Sequence, residues 1–240
     1  MTVNSIFELC KQLKLAYVND LIASSDENLK DYTYKLLAAE VEGRKRAKLG
    51  KLLKDSNIPH IKTFEGYRFN EILFPSVCNK DRLLSLEWIT NKENVVMMGN
   101  VGTGKTHMAT ALAVEACRKG ISVQFFRVSE LVETLKDKFN QGSIRRFKSK
   151  LKKTELLILD EVGYVPFDQV GSELLFNLIA DCYERQSIIV TTNLEFGQWT
   201  SIFGDTRLTA ALIDRIVHHA SIISFPGDSN RLAEALRKKQ

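Results

Sequence analysis

The sequence predicts an α/β protein: a mostly parallel five-stranded sheet, preceded by a small all-helical module. Beyond Leu83, short runs rich in Val, Ile, Leu or Phe alternate with helix-sized intervals, the pattern of strands buried on both faces. Before about Asn57, apolar residues recur instead at three- and four-residue steps, the helical period. With 240 residues, 44% hydrophobic and 26% charged, the chain has the composition of a folded domain and not of a disordered or fibrous one. No stretch approaches the roughly 20 apolar residues of a membrane span, and the N-terminus lacks a long apolar core, so a cytoplasmic protein without membrane contact is expected.

In chain order, residues 1–57 form the helical module. Ile6, Leu9, Leu13, Ala16 and Tyr17 mark one helical face. Ser25-Asp26 can cap a second helix carrying Leu29, Tyr32, Leu36, Leu37 and Ala39. From Glu42 this helix turns basic (Arg44, Lys45, Arg46, Lys48, Lys51, Lys54), which suits either a solvated face or a polyanion contact. Pro59 ends it, because proline excludes the preceding residue from helical geometry. Residues 58–76 read as a connector and 77–240 as the α/β domain. Its expected strands are 94–98, 122–126, 155–160, 187–192 and 221–225. Cys10, Cys78, Cys117 and Cys182 are too scattered for a zinc site or a disulfide framework and are expected as buried thiols.

The chemistry begins directly after the first expected strand. Gly99, Asn100, Val101, Gly102, Thr103, Gly104, Lys105 and Thr106 fit the phosphate-loop pattern of two glycines separated by four residues and followed by Lys and Thr, with a helix following. Glycines let the backbone curl its N–H groups around a phosphate. The helix N-terminus adds positive potential, Lys105 neutralises terminal phosphate oxygens, and the Thr106 hydroxyl can ligate Mg²⁺. About 55 residues on, Leu156-Leu157-Ile158-Leu159 runs into Asp160 and Glu161. Asp160 at a strand tip can hold hydrated Mg²⁺ beside ATP phosphates, and Glu161 can orient water for attack on the γ-phosphate. A small-molecule kinase must exclude water, so a water-recruiting glutamate favours hydrolysis. Asn193 follows the fourth strand at the edge where open α/β sheets place ligands, a position that suits either a water-holding amide or a turn former.

Together GNVGTGKT, LLILDE and TTN resemble the AAA+ ATPases, in which Asn193 matches the first sensor residue. IPHIKTFEGYRF, DEVGYVPFDQVGSELLFNLIADCYER, TTNLEFGQW and LIDRIVHHASII narrow the resemblance to the IstB family of transposition helper ATPases, related to the DnaC helicase loaders. This implies an ATPase that forms homo-oligomers with nucleotide sites between subunits, assembles on duplex target DNA, and delivers that DNA to a cognate transposase. Arg215 matches the family's arginine finger, with Arg207 a weaker candidate in the same segment and a local ion pair of Arg215 to Asp214 or another nearby acid as the alternative. Only 15 residues follow Phe225, so a truncated lid is expected.

Between Val128 and Lys153 lie eight basic residues (Lys136, Lys138, Arg145, Arg146, Lys148, Lys150, Lys152, Lys153) against three acids, which equals the chain's entire net charge of +5. This window is expected to project from the sheet edge and meet DNA phosphates, with a solvated helix face as the alternative. Phe139 and Phe147 flank it and suit packing more than DNA contact. His218 and His219 are adjacent and cannot share one helical face, so no metal pair is expected; His60 and His107 are isolated. Rival readings are a helicase loader on single-stranded DNA and a nucleotide-dependent DNA scaffold with little hydrolysis.

Overall fold

A computed structural model describes residues 3–18, 22, 24–227 and 229. The chain divides into two compact units, Met1–Lys51 and Leu52–Gln240. In the first, α1 (Val3–Leu13) buries Ile6, Cys10 and Leu13, and Val18, Tyr34 and Leu37 pack against the cluster that Ile6 and Cys10 form with Ile22. The expected face is thus one turn too long. Lys14 takes a left-handed backbone (φ 60°), the helix stops, and Tyr17 stands almost fully exposed. The second helix, α2 (Glu27–Asp55), starts where Asp26 accepts a hydrogen bond from the Leu29 N–H at 2.8 Å. Its exposed large apolar residues are Leu29, Tyr32 and Leu36.

The second unit is a parallel sheet in the order β2-β3-β4-β1-β5, formed by β1 (Asn94–Gly99), β2 (Val123–Arg127), β3 (Leu156–Val162), β4 (Ser187–Thr192) and β5 (Ala220–Phe225). All five expected strands are present within two residues of their expected ends. Strand alternation with helices brings every strand's carboxyl end to one edge, and the first loop, Asp160 and Asn193 all lie there. Asn94 pins the opposite edge: its Nδ2 donates to the Ile216 carbonyl and its Oδ1 accepts from the Ile188 N–H, each at 2.9 Å.

Between α2 and the sheet come α3 (Lys80–Ser85) and α4 (Glu87–Thr90), whose Trp88 and Ile89 are buried. The helix after the phosphate loop, α5 (Lys105–Arg118), is alanine-rich, and Met108 to Val114 are all buried. Small side chains let it lie close to the sheet. A larger cluster joins α6 (Val128–Asn140), α8 (Gln169–Cys182) and α10 (Thr206–Val217) to the sheet, closed by the fully buried Trp199 beside α9 (Thr200–Phe203). All four cysteines are buried and free. No described helix is long and apolar enough to cross a membrane.

The basic window forms α6 and α7 (Ile144–Leu151), and α6 lies along the sheet rather than projecting from its edge. The reason is its apolar stripe: Val128, Leu131, Val132 and Leu135 are buried in the main cluster, and Ile144, Phe147 and Leu151 tie α7 to it. The buried Gln186 amide donates to the Leu151 carbonyl at 2.6 Å and to the Thr154 carbonyl, anchoring the end of α7. Phe147 meets Phe126 edge-on, whereas Phe139 is exposed. Leu135→Ala is therefore expected to cost about 2–5 kcal/mol in urea unfolding, while Arg146→Ala stays within about 0.5 kcal/mol.

Candidate functional site

The carboxyl edge of the sheet holds a cleft of about 590 Å³ above the N-terminus of α5. Its floor is the turn Asn100–Gly104. Gly102 and Gly104 have φ of 83° and 99°, values that L side chains rarely adopt. A Cβ at Gly99 would collide with the Phe225 carbonyl, so glycine there lets β1 and β5 close on each other. The turn leaves the first N–H groups of α5 pointing into the cleft, a cradle suited to an anion.

Lys105 is 8% exposed, and its ammonium donates to the carbonyls of Gly99 and Asn100 at 2.7 and 2.6 Å. Its charge is therefore held over the loop. Next to it, the Thr106 hydroxyl donates to Asp160 Oδ1 at 2.9 Å, and the Thr191 hydroxyl donates to the same oxygen at 2.6 Å. Asp160 is 1% exposed. Burial raises its pKa above the usual aspartate value, opposed by these two hydrogen bonds and by the charges of Arg127 and Lys105. Thr106 and Asp160 thus present hard oxygen donors side by side, a set that fits Mg²⁺ and not a soft metal.

Glu161 follows in a left-handed conformation (φ 61°), where β3 breaks register against β4. Its N–H donates to Thr191 Oγ1 at 2.9 Å, which fixes the bulge and re-aims the side chain. The carboxylate comes within 3.7 Å of Arg127 Nε and borders both the main cleft and a smaller hollow beside it. That hollow is also lined by Asn193, Tyr164 and Val101.

Of the residues singled out by sequence, the loop from Gly99 to Thr106, Asp160, Glu161 and Asn193 all converge here. Arg215 lies elsewhere, on α10. Its Nη1 donates to the Ala211 carbonyl at 2.7 Å and its guanidinium sits 4.9 Å over the Phe176 ring. It borders neither hollow, and no ion pair joins it to Asp214 among the described residues. In the basic window, Lys136 pairs with Asp168 at 2.6 Å, and Lys148 and Lys152 pair with Asp181 at 3.0 and 3.5 Å. Lys138 Nζ lies 3.4 Å from Gln141. Arg145, Arg146, Lys150 and Lys153 are exposed. In the first unit Arg44 pairs with Glu40 at 2.7 Å.

Three residues at the site were missed by sequence reasoning. Thr191 sits inside the quoted TTN but drew no role. Arg127 ends β2 directly opposite Asp160 in the parallel register, a placement visible only once the strands are paired. Tyr67, within IPHIKTFEGYRF, donates its hydroxyl to the Gly104 carbonyl at 3.1 Å and packs 4.9 Å from the His107 ring, while His107 Nε2 lies 2.8 Å from the Thr63 carbonyl. Residues 59–68 thereby wall the cleft, and burial pushes the Tyr67 phenol well above its usual pKa, leaving it a neutral donor.

Similarity to known proteins agrees with this geometry. The chain is 33% identical over its full length, and over 96% of the relative, to a Bacillus thuringiensis subsp. berliner protein named for insertion sequence IS232 and for ATP binding. An IS5376 counterpart from Geobacillus stearothermophilus is 33% identical over 95% of this chain and 94% of its own. Among solved structures, DnaI superposes with TM-score 0.56 at 18% identity, covering 71% of this chain and 90% of DnaI. AMPPCP-bound DnaA from Aquifex aeolicus gives 0.53 at 20% identity, covering 74% of this chain and 54% of that longer one. The fold is that of the AAA+ P-loop ATPases. The family described as IstB-like ATP binding protein matches residues 12–238, and the chain belongs to that family.

Proposed function

We propose that this chain is an ATP-hydrolysing transposition helper that oligomerises on duplex target DNA and delivers it to a cognate transposase. The observation that carries the reading is the convergence of Thr106, Asp160 and Glu161 on one anion cradle. Mg²⁺ held at this edge would supply positive charge that offsets the phosphates. Thr106 and Asp160 supply its protein oxygens, and Thr191 keeps Asp160 turned toward it. The loop amides and Lys105 bind the phosphates, Lys105 shifting from the Gly99 and Asn100 carbonyls to the anion. Glu161 orients the attacking water and accepts its proton, and Asn193, across the smaller hollow, holds that water in line.

Two substitutions separate binding from chemistry. Lys105→Ala is expected to abolish ATP binding, because the loop amides remain but the loop's own positive charge on the terminal phosphates is gone. Glu161→Gln keeps size while removing the proton acceptor, so ATP binds, turnover falls by about 10²-fold or more, and DNA-bound assemblies persist in sedimentation. An equal loss of nucleotide affinity in both variants would remove Glu161 from this role.

Arg215 is assigned to a neighbouring subunit's nucleotide, since it stands away from its own cleft and is not neutralised by Asp214. Arg215→Ala is then expected to bind ATP without hydrolysing it. Mixed with Lys105→Ala, it should regain part of the activity, one subunit lending its nucleotide site and the other its arginine. Demonstrably mixed oligomers that stay inactive would contradict the assignment.

Arg145, Arg146 and Lys150 form the outward face of α7, and Lys138 and Lys153 flank it. Lys136, Lys148 and Lys152 offer less to DNA, because each is already matched to a carboxylate. Backbone contacts of this kind are sequence-neutral and release counterions, so binding should weaken steeply with salt. Replacing Arg145, Arg146 and Lys150 with alanine is expected to reduce the log–log salt slope on duplex DNA by up to about three. Unchanged affinity and slope would move the DNA contact away from α7, with the Arg44–Lys54 stretch next.

A further inference from the structure

The amino edge of the sheet, opposite the cleft, carries a second constellation. Helices α8 and α10 both end there, and both leave by the same turn. At their caps Tyr183 and His218 have φ/ψ of −51°/127° and −57°/119°, and the next residues, Glu184 and His219, are left-handed with φ of 56° and 60°. These are the two corners of a type II turn, whose second corner normally takes glycine. Here both glycine positions carry side chains that bind metals.

Those side chains meet. One ligand atom each from Glu184, His218 and His219 lie within 4.8 Å of one another, and the two imidazole centroids are 3.9 Å apart with the ring planes tilted by 48°. Helix α10 ends at Val217, so the two histidines occupy its exit turn, and the expectation that helical geometry would separate them does not apply. The Tyr183 hydroxyl lies 2.7 Å from His218 Nδ1. With Nδ1–H donating to that oxygen, His218 Nε2 keeps its lone pair for a metal, the outer-shell arrangement common to histidine ligands. Two helix C-termini also direct the negative ends of their dipoles at the same spot, which favours a cation. Near Tyr183 the charged neighbours are Glu184 and Asp214, opposed by Arg215.

We propose that Glu184, His218 and His219 form a divalent transition-metal site, of the Zn²⁺ class, that ties the C-terminal ends of α8 and α10 together. Two imidazoles and a carboxylate select Zn²⁺ and its neighbours over Mg²⁺, so this site is chemically distinct from the phosphate cleft, about 16 Å away along β1. Ligand atoms around a tetrahedral Zn²⁺ are roughly 3.3 Å apart, given bonds near 2.0–2.1 Å. Closing from 4.8 Å needs only rotation of three exposed side chains, and water completes the shell. The clamp would also hold the spacing between Phe176 on α8 and Arg215 on α10.

The test is a Zn²⁺ titration of the untagged, EDTA-stripped full chain by calorimetry, with Co²⁺ absorption reporting geometry. One equivalent with a micromolar or tighter dissociation constant, undisturbed by excess Mg²⁺, is expected. His219→Gly and Glu184→Gly place glycine where the turns favour it, so they should melt no lower than wild type without metal. Each should weaken Zn²⁺ by at least about tenfold and lose the Zn²⁺-induced rise in melting temperature, and Tyr183→Phe should weaken it by about tenfold. Wild-type affinity no tighter than millimolar, or glycine variants that bind Zn²⁺ like wild type, would overturn the proposal.

Discussion

The rest of the site depends on one buried carboxylate. Asp160 sits at the tip of β3 with almost no exposure, and an ionised group there is costly unless its oxygens are satisfied. Two threonine hydroxyls donate to a single oxygen, one from the first turn of α5 and one from β4. Three elements distant in sequence are thereby locked at one point. The second oxygen accepts from neither hydroxyl, and burial raises the Asp160 pKa against the opposing hydrogen bonds and the charges of Arg127 and Lys105. A carboxylate held in this way gains from a cation, which is why the chemistry of the cleft and its architecture are the same problem.

The backbone around Asp160 follows from this. Thr191 serves two neighbours at once, donating to Asp160 and accepting from the Glu161 N–H, and that second bond accompanies the register break between β3 and β4. Glu161 is left-handed there at a cost of order 1 kcal/mol, and its side chain turns out of the strand toward the cleft. Arg127, paired opposite Asp160 in the register, brings its Nε within 3.7 Å of the Glu161 carboxylate from the β2 side. One hydroxyl therefore sets the geometry of both acids, giving adjacent residues different surroundings: Asp160 is buried and hydrogen-bonded, Glu161 is half-open to solvent.

Much of this was legible in the sequence because parallel strands buried on both faces advertise themselves as uninterrupted Val, Ile and Leu runs, and because the glycine-rich loop has few conformations available to it. What was not legible depends on partners far along the chain. Lys148 and Asp181 are 33 residues apart, so the neutralisation of part of the basic window could not be counted from composition. Arg127 and Thr191 matter only through strand pairing. Tyr67 reads as part of a connector until residues 59–68 are seen to wall the cleft. Helix ends were the other weak point: Tyr17, His218 and His219 were judged by helical spacing, yet left-handed residues at Lys14 and His219 mark chain that has already left the helix.

The central claim is that Asp160 is positioned to hold the metal of a bound nucleotide and contributes little to gripping the phosphates directly. The most direct measurement is the ATP affinity of wild type and Asp160→Asn, each with Mg²⁺ and with EDTA. Asparagine keeps an oxygen to accept from Thr106 and Thr191 but lacks the charge. The account predicts that wild type binds ATP more tightly with Mg²⁺ than with EDTA, and that Asp160→Asn erases this gain while its affinity in EDTA stays close to wild type. An Mg²⁺ gain that survives in Asp160→Asn would contradict it.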